Sequence, residues 1–180
     1  MISANRIRLR AAEREDIPQF VVWINDAEVL EFLMRSLPMS RVEEESWFDR
    51  MMQSPPAEHV LVIEANTEDG WKAIGNTGFM DFNWFDRNAE VGIMIGEKDY
   101  WNQGYGREVM KLMLRHGFNT LNLHRIWLRV FEHNLRGIRA YEHAGFIHEG
   151  RLRQDAFRNG KYCDLLVMSV LRTEWQDSDF

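Results

Sequence analysis

Hydrophobic positions recur along this chain with two periods, and the switches between them mark its elements. Residues 7–10 alternate apolar and polar and predict a strand. Over 16–25, Ile17, Phe20, Val21 and Ile24 fall at helical spacing, with Pro18 in a first turn that tolerates its missing N–H. Ser40 and Glu43 form a capping-box pair and predict a helix through Trp47, Phe48 and Met51, which Pro55-Pro56 ends. Residues 59–65 predict a strand, 67–70 a turn, and Trp71 onward a further strand. Within it 75–84 is long, and Gly78 marks an expected bulge. The run 89–95 alternates again and leads through a glycine loop into an amphipathic run, 109–121. Residues 125–131 read as a strand and 135–144 as a helix. Two closing strands, 146–153 and 162–171, meet through Arg158-Asn159-Gly160.

The strands thus come first as a meander, followed by strand, helix, strand, helix, strand. That order predicts a mixed α/β sheet with helices on both faces. No repeat, low-complexity tract or long linker divides the chain. Residues 1–175 read as a single domain, and 176–180 as a polar C-terminal tail.

Composition narrows the picture modestly. The 180 residues suffice for one sizeable core. No apolar run nears the roughly 18 residues of a membrane span, and the N-terminus lacks a secretory h-region. The lone Cys163 excludes an internal disulfide and reads as core, which fits a reducing, cytoplasmic setting. The formal net charge of −6 argues against a nucleic-acid partner and permits a cationic one. The six histidines show no metal-ligand spacing, so no metal is expected.

The densest chemical signal is Tyr100-Trp101-Asn102-Gln103-Gly104-Tyr105-Gly106-Arg107-Glu108. Two glycines at a helix start leave several backbone N–H groups without helical partners, and the helix dipole adds attraction for an anion. A glycine turn with no ligand is the alternative. A Walker A loop is excluded because no Lys-Ser/Thr follows Gly106. The dinucleotide fingerprint fails because Val109 stands where its third glycine belongs. Downstream, Asn134 reads as a helix N-cap and Gly145 as a stop, and Ile138 and Tyr141 share one face of the helix between them.

Strand, Trp101-x-x-Gly104-x-Gly106, helix, strand, then Asn134 ahead of Ala140-Tyr141-Glu142-x-x-Gly145-Phe146 resembles the GCN5-related N-acetyltransferases. The likeness is greatest to the branch holding the ribosomal-protein N-terminal and spermidine N-acetyltransferases, and it covers nearly the whole chain. Ile7-Arg8-Leu9-Arg10 with Glu13-Arg14-Glu15-Asp16 resembles that branch's first strand and helix. Glu149-Gly150-Arg151-Leu152-Arg153 and Asn159-Gly160-Lys161-Tyr162 resemble its closing hairpin. Trp101 departs from the wider family, which has Arg or Gln there.

The resemblance implies a mostly antiparallel sheet splayed between its fourth and fifth strands, with acetyl-CoA as co-substrate in the gap. Backbone amides of Gln103, Gly104, Tyr105, Gly106 and Arg107, with Trp101 and Asn102 opening the loop, would hold the pyrophosphate. The backbone of Ile93, Met94 and Ile95 would pair with the pantetheine arm, and Asn134 would contact it while capping its own helix. Tyr141 would protonate, or donate a hydrogen bond to, the leaving thiolate. A lysine-like amine at pH 7 costs about 4–5 kcal/mol to neutralise, against about 1 for an α-amino group. A base is therefore useful for a side-chain-like amine, and Glu90 is the candidate. Glu28, Glu31, Phe32, Trp84 and Tyr162 are candidates to line the acceptor pocket. The implied acceptor is a small-molecule amine, a polyamine among them, or a protein N-terminus. A homodimer is plausible from exposed strand edges. The competing class is a non-catalytic acyl-CoA-binding regulatory module, and a plain nucleotide binder is a third reading.

Overall fold

A computed structural model describes residues 2–177. Residues 178–180 of the expected polar tail lie outside the described residues.

Among the described residues, eight strands form one sheet. They are β1 (Ile2–Ser3), β2 (Ile7–Ala11), β3 (Leu61–Thr67), β4 (Gly70–Asn83), β5 (Asn88–Ile95), β6 (Arg125–Phe131), β7 (Ile147–Arg158) and β8 (Lys161–Leu171), in the spatial order β1-β2-β3-β4-β5-β6-β8-β7. Every neighbouring pair is antiparallel except β5 and β6. The helices are α1 (Ile17–Asn25), α2 (Ala27–Leu30), α3 (Arg41–Gln53), α4 (Tyr105–Asn119) and α5 (Leu135–Ala144).

Alternation along the strands divides the core between two faces. On one, Val91 and Ile126 pack with Val109, Met113 and Phe118 of α4, and Ile138 and Tyr141 of α5. On the other, Val62 and Met94 pack with Phe20 and Trp23 of α1 and Phe48 of α3. The expected helices on both faces follow from this period-two pattern. The capping box of Ser40 and Glu43 opens α3 with both reciprocal bonds formed.

Local differences from the sequence expectation have physical causes. The two-residue β1 and the single-turn α2 are too short to carry a period. Gly78 makes no bulge and pairs squarely with Gly92. The register shift falls between Met80 and Asn83, where Asp81 takes a left-handed φ of 51°, a conformation aspartate tolerates.

The sheet opens where the site lies. Strands β5 and β6 pair only through Asn88–Arg125, Ala89–Ile126 and Glu90–Trp127. Beyond Glu90, β5 stays on β4 as far as Ile95, while β6 follows β8. Counted from Ile7–Ala11, these are the fourth and fifth strands, so the implied splay is present, one number later because β1 precedes them.

Candidate active site

One lip of the splay is β5 with the loop that follows. Asn102 and Gly104 both have positive φ, 61° and 86°, and α4 begins at the next residue, Tyr105. A side chain in the Gly104 conformation would cost about 1–2 kcal/mol, so glycine is the fitting residue there. Among the described residues no acceptor takes the backbone N–H groups of Asn102 through Arg107. They remain open for an anion, aided by the dipole of a 15-residue helix. Arg6 fixes the loop from the bend just before β2, pairing with Glu108, donating to the Gln103 carbonyl at 3.2 Å and stacking 4.6 Å over Tyr105. Trp101 is anchored by its indole N–H, which donates to the Ile95 carbonyl at 2.8 Å.

The facing lip is the start of α5. The Asn134 side chain accepts from the Gly137 N–H at 2.9 Å, a helix cap that leaves its amide nitrogen for other work. Gly137 is needed for that approach, since a Cβ there would come within 2.7 Å of the Asn134 side chain. Two turns on, Tyr141 faces the gap. Burial pushes its phenol up to about 12, the Arg136 charge opposing, so the phenol carries its proton at neutral pH. Among the described residues no hydrogen bond is made to its hydroxyl.

Between the lips lies a cavity of about 600 Å³. Ile93, Met94, Ile95, Trp101, Asn102, Gln103, Gly104, Tyr105, Gly106, Arg107, Asn134 and Tyr141 all line it, as does Phe32. Among the described residues its lining contains no aspartate or glutamate, in a chain of net charge −6. It contains instead Arg107, Arg136, Arg139 and His143. No ion pair engages these arginines among the described residues. Arg136 was not singled out from sequence. A usable signal existed, because a cation in the first turn of a helix opposes the dipole and calls for another reason to be there.

Glu90 sits elsewhere. It is 5% exposed, ends the β5–β6 pairing, and points to the α1/α3 face with the parity of Met94. Arg129 binds it with both ends of its guanidinium, at 3.0 and 2.8 Å, and it does not line the cavity. Glu28 pairs with Lys98 at 2.7 Å, Glu31 is exposed after α2, Trp84 stacks on Phe82 at 4.5 Å, and Tyr162 packs on Phe157 at 5.0 Å. None of these four lines the cavity. Among the described residues no group of His, Cys, Asp and Glu could hold a metal, and no helix is long and apolar enough to cross a membrane.

A family model described as Acetyltransferase (GNAT) domain matches residues 6–147. This chain belongs to the GNAT acetyltransferases. The chain is 30% identical to spermidine N(1)-acetyltransferase of Escherichia coli (strain K12) over 175 residues, covering 97% of this chain and 91% of the relative. It is 28% identical to the Vibrio cholerae enzyme of that name, covering 95% and 96%. A crystal structure of the Vibrio cholerae spermidine N-acetyltransferase with CoA and spermine superposes with a TM-score of 0.86 at 28% identity, over 94% of this chain and 97% of that one.

The GNAT chain is therefore an acetyl-CoA-dependent N-acetyltransferase that acts on an amine. The cavity suits that co-substrate on its own terms. It offers uncommitted amides and arginines to phosphates, and the edge of β5 beyond Glu90, unpaired by β6, to the amides of the pantetheine arm.

Proposed function

We propose that this GNAT enzyme acetylates a polyamine-class acceptor, a small primary amine carrying at least one further ammonium. The supporting observation is how charge is divided across the splay. The acyl-donor cavity is lined with arginine and no carboxylate. On the opposite face, at the apex, Arg129 is held above its usual value by its bonds to Glu90, with burial opposing and Asp81 and Asp155 adding to the field. Glu90 thus balances the guanidinium, and the added field of Asp81 and Asp155 leaves an excess of negative charge that suits an oligocation. The relatives named for spermidine acetylation support the same class.

The donor contributes an acyl group activated as a thioester, and the chain's own residues do the rest. The amides of residues 102–107 hold the donor's phosphates, and the β5 edge at Ile93 and Ile95, with Asn134, aligns its arm. Tyr141 serves the leaving sulfur. Its pKa of about 12 stands roughly 3.5 above a cysteine-like thiol near 8.5, about 5 kcal/mol against complete proton transfer at equal solvation. The phenol therefore stabilises the developing thiolate first as a hydrogen-bond donor, and the proton follows as the cavity desolvates the sulfur. Glu90 spends both oxygens on Arg129, so it serves as a brace at the apex rather than as the proton acceptor. The amine then reaches the thioester neutral from solution, its nitrogen bonds to the carbonyl carbon as the C–S bond breaks, and the proton it sheds to solvent balances the one that Tyr141 gives the sulfur and regains from solvent.

The test is thiol release from acetyl-CoA with spermidine, spermine, monoamines and N-terminal peptides, the products located by mass spectrometry. Polyamines should give the highest kcat/KM. Preference for peptides or monoamines would overturn the acceptor class and leave the enzyme class intact.

A further inference from the structure

Arg136 is the cavity residue whose position the acceptor chemistry leaves unexplained. It occupies the second position of α5, where the helix dipole repels a cation. Its guanidinium lies 3.6 Å above the Trp101 ring centroid and 5.3 Å from that of Phe32. Burial pulls it below its usual value, and among the described residues it has no ion pair. A half-buried cation resting on two rings, facing a cavity without carboxylates, is placed for an anion that arrives from outside.

Which end of the donor it meets follows from the strand. Trp101 is bonded to the Ile95 carbonyl, at the open end of β5, whereas the apex is marked by Glu90. Five residue steps separate Glu90 from Ile95, roughly 16 Å of extended strand. Arg136 over Trp101 thus lies at the mouth, beside the loop 102–107, and not at the acyl end. It also spans the opening, reaching from the α5 lip to the indole on the β5 lip.

We propose that Arg136 is a cofactor-binding clamp that moves from the Trp101 face onto the pyrophosphate of acetyl-CoA, so that the starts of α4 and α5 grip the phosphates from both lips. The proposal rests on acetyl-CoA occupying this cavity. Trp101 is then the resting place of the guanidinium in the free enzyme.

The test compares two acyl donors, acetyl-CoA and S-acetylpantetheine, which has the same thioester and arm but no phosphate. Arg136→Ala should raise KM for acetyl-CoA about ten- to a hundredfold, the range of a charge-assisted hydrogen bond, with kcat little changed. The same variant should leave kcat/KM for S-acetylpantetheine within about twofold of wild type. Arg136→Lys keeps the charge without the planar fork and should recover part of the loss. Equal losses with both donors would make Arg136 structural and overturn the clamp. A change confined to the acceptor's KM would place it in the acceptor site and overturn it equally. Failure of the wild-type enzyme to turn over acetyl-CoA would defeat the acetyltransfer reading beneath it, a result distinct from either.

Discussion

Tyr141 brings together what a leaving thiolate needs: a place in the wall of the donor cavity, a hydroxyl with no partner among the described residues, and a proton retained to about pH 12. Removing only the hydroxyl tests its role. Tyr141→Phe should lower kcat by about 10²–10⁴, the usual contribution of a positioned acid, while KM for acetyl-CoA stays within about twofold. Glu90 makes the opposite prediction. In the proposed mechanism both its oxygens stay bonded to Arg129 and the amine arrives already neutral. Below the acceptor's pKa of about 10, log(kcat/KM) should then rise about one unit per pH unit from pH 7 to 9, as the neutral amine becomes more abundant. A plateau beginning near neutral pH would show a working base and restore Glu90 to that role. Glu90→Gln should keep the sloping profile yet lose stability. It leaves Arg129 unmatched at the apex, for about 1–3 kcal/mol by denaturant titration, discounted because Arg129 is about one-third exposed.

At the scale of elements, the two helix starts that form the lips are held by specific local devices. Asn134→Ala removes the cap of α5 and should cost about 0.5–2 kcal/mol, read as a lower Tm, together with a raised KM for acetyl-CoA. Gly137→Ala should do similar harm by driving a Cβ into the Asn134 side chain. Both lips were legible in the sequence because capping chemistry is local: Gly104, Asn134 and Gly145 name their own conformations. The strand 125–131 and the helix 135–144 were legible for the related reason that a full period fits inside them. What stayed hidden depends on partners distant in the chain. The engagement of Glu90 by Arg129, 39 residues away, leaves no trace in either segment. Nor does the stacking of Arg136 on Trp101, which crosses from α5 to the end of β5. The bulge fell at Asp81 and not Gly78 because pairing with β5 decides register, and Gly78 meets Gly92 without strain.

Across the whole molecule, the net charge of −6 is unevenly distributed, since the donor cavity is lined with arginine. In the proposed reading, the cavity arginines serve the anionic donor, and Glu90, Asp81 and Asp155, whose charges act on Arg129, favour a cationic acceptor on the other face. The splay that separates the two is a topological property of the sheet: β5 and β6 stop pairing after three residue pairs. Polyamine turnover should therefore weaken as salt rises toward 1 M, where the Debye length shrinks to about 3 Å, and weaken more for spermine than for a monoamine. The most direct test of the acceptor assignment is the ratio of kcat/KM for spermidine to that for butylamine, measured in wild type and in the Asp81→Asn/Asp155→Asn double variant. The expected ratio is well above ten in wild type and falls toward one in the variant with acetyl-CoA kinetics preserved, since each lost charge pair is worth about 1 kcal/mol at an exposed site. A wild-type ratio near one, or a ratio unchanged by the double substitution, would contradict it.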